Sequence, residues 1–310
     1  MIYDIIGDIH GRADKLTGLL TQLGYVHDGT SFVAPIGHKA VFIGDLVDRG
    51  NQQLATLQIV FDMLDNAQAL AIMGNHEYNA IAYATPNPHK ASQYLREHTP
   101  HNTHQHQAFL DEVGFGTDLH RYWLGRLYEL PLVIELPKVI FVHACYDELA
   151  LATLSPFLHD NRLSPATLPT VSQCGTAEFI ALERLLKGIE LPLPHGSTMT
   201  DKTGIVRTRA RVKWWLDNWQ HRPINEALLA DDLPDEYFDD LPMDLQDFAI
   251  ATDKPIFVGH YWLDGTPAML SPQVVCVDYS AGKDGHLTAY QFNTDKPTLD
   301  NRCFVQFKHF

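Results

Sequence analysis

The sequence predicts an α/β fold built on parallel strands, and three features carry that prediction. Three short apolar runs, at residues 2–6, 40–43 and 69–73, each end on a glycine motif. The motifs are Gly7-Asp8-Ile9-His10-Gly11, Gly44-Asp45-Leu46-Val47-Asp48-Arg49-Gly50 and Gly74-Asn75-His76-Glu77. Segments with apolar residues at helical spacing follow. This rhythm of strand, loop and helix implies right-handed crossovers between parallel strands, whose carboxyl-end loops are where ligands bind in such folds. Asp8, Asp45 and Asn75 all fall at that edge.

The first run is short, rich in isoleucine and mostly apolar, the pattern of a buried strand. Leu16, Leu19, Leu20 and Leu23 repeat at i, i+3, i+4 and i+7, giving an amphipathic helix that stops near Gly24. Residues 25–39, with Gly29, Pro35 and Gly37, read as a polar connection to the second strand. Leu54, Leu57, Phe61 and Leu64 mark the next helix. Residues 80–130 read as mostly helical, with a loop at Pro86 and Pro88 and an aromatic patch around Tyr122 and Trp123. Residues 132–136 and 139–142 read as a hairpin around Pro137, the second strand ending on His143. Between 150 and 250 the strand rhythm lapses, and helices are expected at 179–186 and 206–219. A basic-aromatic stretch at 207–215 precedes an acidic, proline-interrupted run at 231–247 that reads as a solvated loop. The strand pattern resumes at 256–258, ending on Gly259-His260, and final strands fall at 274–277, 286–292 and 303–307. One domain spanning 1–310 is expected, with 150–250 a mainly helical insertion or cap.

With 310 residues and 45% hydrophobic content the chain can bury a sizeable core. Lys and Arg total 23 against 38 Asp and Glu, and the formal charge of −15 argues against sequence-independent nucleic-acid binding. Small anionic substrates stay open, because bound metal ions override the global field locally. Cys145, Cys174, Cys276 and Cys303 lack zinc-finger or redox-motif spacing and read as reduced thiols. Asp4 and Asp8 interrupt the apolar start, so no signal peptide is expected, and no apolar run has the length of a membrane span. The expected setting is cytoplasmic, with no membrane partner.

Asp8 and His10, two apart just past a strand, can aim at one ion, and oxygen plus imidazole favours manganese, iron or zinc over magnesium or calcium. Asp45 adds a carboxylate placed to bridge two ions, Asn75 a carbonyl oxygen, and His143 and His260 imidazoles from later strand ends. Two ions roughly 3.5–4 Å apart can share a bridging water, lower its pKa and clamp the phosphoryl oxygens of an in-line displacement. A protein nucleophile is then unnecessary. Cys145 has no Gly-rich phosphate cradle beside it and reads as a buried thiol. The leaving alkoxide needs a proton, which His76 can deliver if Asp48 orients its ring. Arg49 offers a planar fork for phosphate oxygens. His101, His104 and His106 follow no strand and read as flexible polar residues near Pro100 rather than ligands.

Through these three motifs, together with Val142-His143-Ala144 and Val258-Gly259-His260, the sequence resembles the calcineurin-like metallophosphoesterases, and among them the phosphoprotein-phosphatase branch. The resemblance implies a two-sheet β-sandwich flanked by helices and a dinuclear centre. Asp8, His10 and Asp45 would hold one metal, and Asp45, Asn75, His143 and His260 the other. It also implies Asp48 and His76 as an acid dyad and Arg49 as a phosphate-binding arginine, with Asn75 at the same phosphate. A second such arginine is implied, for which Arg207, Arg209 and Arg211 are equal candidates. Eukaryotic serine/threonine phosphatases carry His-Gly-Gly where this chain has His143-Ala144-Cys145. That form, with the Leu287-Thr288-Ala289 strand, is similar to bacterial relatives, including symmetrical diadenosine-tetraphosphate hydrolases. The implied activity is hydrolysis of phosphomonoesters, phosphoproteins among them, by attack of a metal-bridging hydroxide. An alternative is hydrolysis of dinucleoside polyphosphates, with tryptophans and arginines of 207–222 stacked on nucleotide. A third is a non-catalytic metal- or phosphate-binding module.

Overall fold

The apolar runs become strands of two sheets in the computed structural model of the chain, which describes residues 1–200 and 204–308. The main strands are β1 (Ile2–Ile6), β2 (His38–Phe42), β3 (Ala69–Ala71), β4 (Val133–Leu136), β5 (Val139–Val142), β6 (Ile256–Val258), β7 (Val274–Cys276), β8 (Leu287–Asn293) and β9 (Phe304–Phe307). One sheet runs in the order β9-β8-β1-β2-β3, the other β7-β6-β5-β4. β1, β2 and β3 are parallel neighbours, as are β5, β6 and β7; β8 and β4 close the pairing antiparallel.

Strand alternation sends Ile5, Val41, Ile43 and Ile72, with Phe292 of the same sheet, into a core shared with Phe141, Phe257 and Val275 of the facing sheet. Ile6 and Phe42 point the other way, against Leu16, Leu19, Leu20 and Val60 of the helices. Both faces of each parallel strand are therefore covered, which is why these runs are mostly apolar. Phe257 lies at 0% exposure. Truncating such a ring to alanine typically costs about 3–5 kcal/mol. Helices α1 (Ala13–Gln22) and α2 (Gln53–Asp65) make the crossovers, and α3 (Asn75–Ala84) begins directly on the third motif. Helices α4 (Pro100–Val113) and α5 (Asp118–Leu127) follow the proline loop. The connection at 25–39 also carries a small hairpin, Val26–His27 with Phe32–Val33.

Between 150 and 250 the helix Ala177–Lys187 forms where one is expected. The second expected helix, at 206–219, does not form. Arg209–Val212 is instead the middle strand of a three-stranded sheet with Glu190–Pro192 and Leu228–Leu229. Its side chains obey a period of two: Ala210, Val212 and Trp214 are buried while Arg211 and Lys213 between them are not. The acidic run exposes its aspartates, yet Leu233, Phe238, Leu241 and Leu245 tack it to the main core. No helix among the described residues is long and apolar enough to cross a membrane.

Candidate metal centre

The loops at the carboxyl ends of β1, β2, β3, β5 and β6 bring Asp8, His10, Asp45, Asn75, His143 and His260 together. The first two loops interlock: Ile9 and His10 N–H groups both donate to Asp45 O, and Gly50 N–H returns to His10 O. Glu77, fully buried, accepts from the N–H groups of Asp45, Leu46 and Gly74, each at 2.8 Å, which ties the second loop to the third. Absent β-carbons permit the close approach. A Cβ on Gly44 would lie 2.4 Å from Gly74 N, and one on Gly259 would lie 2.1 Å from Asp8 Oδ1. His10 (φ 50°), Asp45 (φ 51°) and His260 (φ 70°) all sit in the left-handed region, backbone strain of the kind that clusters at functional sites.

His10, Asp45 and His76 offer ligand atoms within 4.8 Å of one another, and so do Asp45, His143 and His260. Asp45 belongs to both groups, as a bridging carboxylate would. Asn75 Oδ1 lies 2.8 Å from His260 Nδ1 and 3.2 Å from His143 Nε2. Asp8 falls in neither tight group: its Oδ2 accepts from His260 N–H at 3.1 Å. The tautomers suit metal binding. His143 Nδ1–H donates to Ile43 O at 2.6 Å and His10 Nδ1–H to Val47 O at 2.9 Å, which leaves each Nε2 with a lone pair facing Asp45.

Asp8 Oδ1, His10 Nε2 and His260 Nε2 are buried and have no hydrogen-bond partner among the described residues. Orphaned atoms of this kind are costly unless something else meets them. Burial, followed by the charges of Asp278 and Asp45, pushes the Asp8 carboxyl well above its ordinary range. Burial would also raise Asp45, but the imidazoles of His143, His76 and His10 outweigh it and hold that carboxyl well below. Burial, with Arg49 and His76 adding to it, depresses His10, and burial with Arg211 and His143 depresses His260, so both rings are held neutral. Buried carboxylates in mutual repulsion beside neutral imidazoles fit divalent cations.

His76 Nδ1 meets Asp48 Oδ2 at 2.6 Å, and its Nε2 lies 3.8 Å from Asp45 Oδ2. The expectation for the histidines after Pro100 needs correction. They lie on α4, with His101 and His104 outward, while His106 is 3% exposed and its Nδ1 lies 2.7 Å from Asp48 Oδ1. Arg49 lies with Cζ 3.4 Å over the Trp262 ring. The Trp262 N–H donates to Asp278, a buried carboxylate just past β7. Of the three candidate arginines, Arg207 is exposed and Arg209 donates to Glu190 O, whereas Arg211 Nη1 reaches His260 O at 3.4 Å. Trp214 and Trp215 do not face this edge as stacking platforms; both are buried, and Trp214 Nε1–H donates to Ala144 O and Tyr261 Oη.

A family model described as calcineurin-like phosphoesterase matches residues 1–260, a span containing every one of these candidate ligands. The chain belongs to the calcineurin-like phosphoesterases. The asymmetrical bis(5'-nucleosyl)-tetraphosphatase PrpE of Anoxybacillus flavithermus is 43% identical over 76 residues, 24% of this chain and 31% of that protein. Its counterpart from Bacillus subtilis is 37% identical over 95 residues, 31% of this chain and 39% of that one. The chain spans about a third of the length of these relatives. Among solved structures, a protein serine/threonine phosphatase from Saccharomyces cerevisiae aligns with a TM-score of 0.50 at 16% identity, covering 100% of this chain and 80% of that one. A cold-active protein tyrosine phosphatase aligns with a TM-score of 0.50 at 18% identity, covering 93% and 73%. At these identities the likeness is one of fold.

Three residues to which the sequence reading gave no role also meet this edge. Glu77 ties down the Asp45 loop, Asp278 sits behind Trp262, and His106 reaches Asp48. Asp278 carried a usable signal, being an acid just past a parallel strand like Asp8 and Asp45.

Proposed function

We propose that this phosphoesterase hydrolyses phosphomonoesters, phosphoproteins among them, at a pair of divalent ions held by Asp8, His10 and Asp45 and by Asp45, Asn75, His143 and His260. Manganese, iron or zinc at these residues supplies Lewis-acid activation of water and positive charge against the phosphoryl oxygens. The chain supplies the remainder. His76 holds a proton at Nε2, on the side of Asp45, and gives it to the departing alkoxide. Asp48 accepts from His76 Nδ1–H and keeps the ring in that tautomer. Arg49, braced on Trp262, offers two parallel N–H donors to the phosphate, with Asn75 beside it, and Arg211 stands at the His260 side as the second cation. The observation that carries this reading is the 2.6 Å contact between His76 and Asp48 beside the shared Asp45 carboxylate.

Burial of Trp214 and Trp215 supports monoesters over nucleotides, since neither ring is available for stacking. A second reading, hydrolysis of dinucleoside tetraphosphates, is favoured by the names of the PrpE relatives. We take residues 1–310 as one domain in which 150–250 forms a cap, a reading supported by the Arg211 and Trp214 contacts to His260 and Ala144. A cytoplasmic setting is supported by the four cysteines, all unpaired.

The test is phosphorus NMR of the Mn(II)-loaded protein given a phosphoserine peptide, a phosphotyrosine peptide and diadenosine tetraphosphate, with His76→Asn as control. Inorganic phosphate from a peptide, lost in His76→Asn while metal content persists, is the expected result. Nucleotide release from the dinucleotide alone would establish the second reading. No turnover of any of the three would overturn both.

A further inference from the structure

We propose that His106 is a positioning residue of the acid dyad: it grips the Asp48 oxygen that His76 leaves free, so that Asp48 is clamped between two imidazoles. The inference rests on the reading of His76 as general acid. Asp48 Oδ2 faces His76 Nδ1 at 2.6 Å and Oδ1 faces His106 Nδ1 at 2.7 Å, one ring to each oxygen. The carboxylate is 2% exposed, so without His106 its Oδ1 would be left with neither water nor a donor. Burial alone would raise the Asp48 carboxyl; His106 first and then His76 outweigh it and hold the group below its ordinary range.

Among the described residues nothing gives His106 another polar task. Among the described residues Asp48 is its side chain's hydrogen-bond partner, while its Nε2 is buried with none. The ring packs among Tyr83 and Phe109, with centroids 5.3 and 5.1 Å away. His106, Phe109 and Val113 share the buried face of α4 at i, i+3 and i+7. The helix is docked by Glu112, whose carboxylate accepts from Gln53 and Leu54 N–H at 2.7 and 2.9 Å and so caps the start of α2. Asp48 is pinned from its own side by its N–H donating to Gln53 Oε1 at 2.7 Å. Both partners therefore meet at fixed positions. With each oxygen committed, the carboxylate cannot turn about its Cβ–Cγ bond, and the His76 ring keeps Nε2 on the Asp45 side.

The experiment compares wild type, His76→Asn, His106→Phe and His106→Asn, all Mn(II)-loaded, on 2,4-dinitrophenyl phosphate and a phosphoserine peptide. The first leaving group departs without a proton, whereas the second requires one. His106→Phe keeps the ring packing and removes the donor; it should lower kcat on the peptide about tenfold, part of the 10²–10⁴-fold a general acid contributes. Its kcat on the aryl ester should fall less than about twofold, with KM unchanged on both. His106→Asn presents an amide N–H near the position of Nδ1 and should restore most of the peptide activity. Independently, long-range nitrogen-15 NMR of the metal-free or zinc-loaded wild type should show a proton on His106 Nδ1.

Equal losses on both substrates, no loss, failure of His106→Asn to recover, or an unprotonated Nδ1 would overturn the assignment. Should His106→Phe not fold, His106→Asn and the tautomer decide. A leaving-group-dependent loss in His76→Asn without one in His106→Phe defeats this inference alone. Wild type inert on both esters, or His76→Asn fully active, defeats the dyad reading and this inference with it.

Discussion

Replacing Glu77 with glutamine should loosen the loop that carries Asp45. Glu77 Oε1 accepts from Leu46 N–H at 2.8 Å and Val47 N–H at 3.3 Å, and Oε2 from Asp45 and Gly74 N–H at 2.8 Å each. Glutamine has nearly the same shape but a single acceptor oxygen. Its amide nitrogen would set donor against donor at one pair, leaving two buried N–H groups unmet. Hydrogen bonds to a charged group contribute about 1.5–3 kcal/mol each, so the gross loss is about 3–6 kcal/mol. Burial first, and the Asp45 charge second, hold the Glu77 carboxyl above its ordinary range, so removing that charge offsets part of the loss. A net destabilisation of about 3 kcal/mol is expected, large against the roughly 5–15 kcal/mol of a typical domain. The assay is urea unfolding of metal-free wild type and Glu77→Gln with linear extrapolation, repeated at saturating Mn(II). The gap should widen with metal, because a slack Asp45 loop binds ions less tightly and gains less from them. A difference below about 1 kcal/mol, unchanged by metal, would refute the idea that Glu77 organises this loop.

Gly259→Ala should drive a methyl group onto Asp8 Oδ1, where a Cβ would lie only 2.1 Å away. Displacing that carboxylate should cost about 1–3 kcal/mol of stability and weaken Mn(II) binding at least about tenfold by titration calorimetry. Adding Mn(II) to the metal-free protein should raise its melting temperature, with roughly 2.7 kcal/mol gained at a hundredfold excess over Kd. The gain should be larger at pH 8 than at pH 5, since the ligands must be deprotonated to bind; a pH-independent gain would contradict this. Trp262→Leu removes the ring under Arg49, a contact of about 0.5–2 kcal/mol. If Arg49 binds phosphate equally before and during reaction, KM should rise roughly 2- to 30-fold with kcat little changed, and an unaltered KM would count against the brace.

The edge where Asp8, His10, Asp45, Asn75, His143 and His260 converge was legible because each motif is local: an apolar run fixes a strand, and the next residues must be its end. Residues 206–219 were misread because two periods fit them. Val206, Ala210 and Trp214 are four apart, as on a helix face, yet the alternation of Arg209, Arg211 and Lys213 with Ala210 and Val212 is the pattern the sheet uses. Trp214 and Trp215 could not reveal whether they face substrate or core, since that depends on contacts to Ala144 and Tyr261 far away in the chain. His106 was hidden by its outward neighbours His101 and His104. Only the docking of α4 through Glu112 turns it toward Asp48, although the spacing with Phe109 and Val113 marks a buried face. The choice of Arg211 over Arg207 and Arg209 likewise waits on tertiary placement beside His260.

The central claim, two ions on one shared carboxylate, is tested most directly by anomalous diffraction at the manganese edge from crystals of the Mn(II)-loaded protein. Two peaks are predicted, one against Asp8, His10 and Asp45 and the other against Asp45, Asn75, His143 and His260, with Asp45→Asn losing at least one. A single peak, or peaks away from Asp45, would contradict the account.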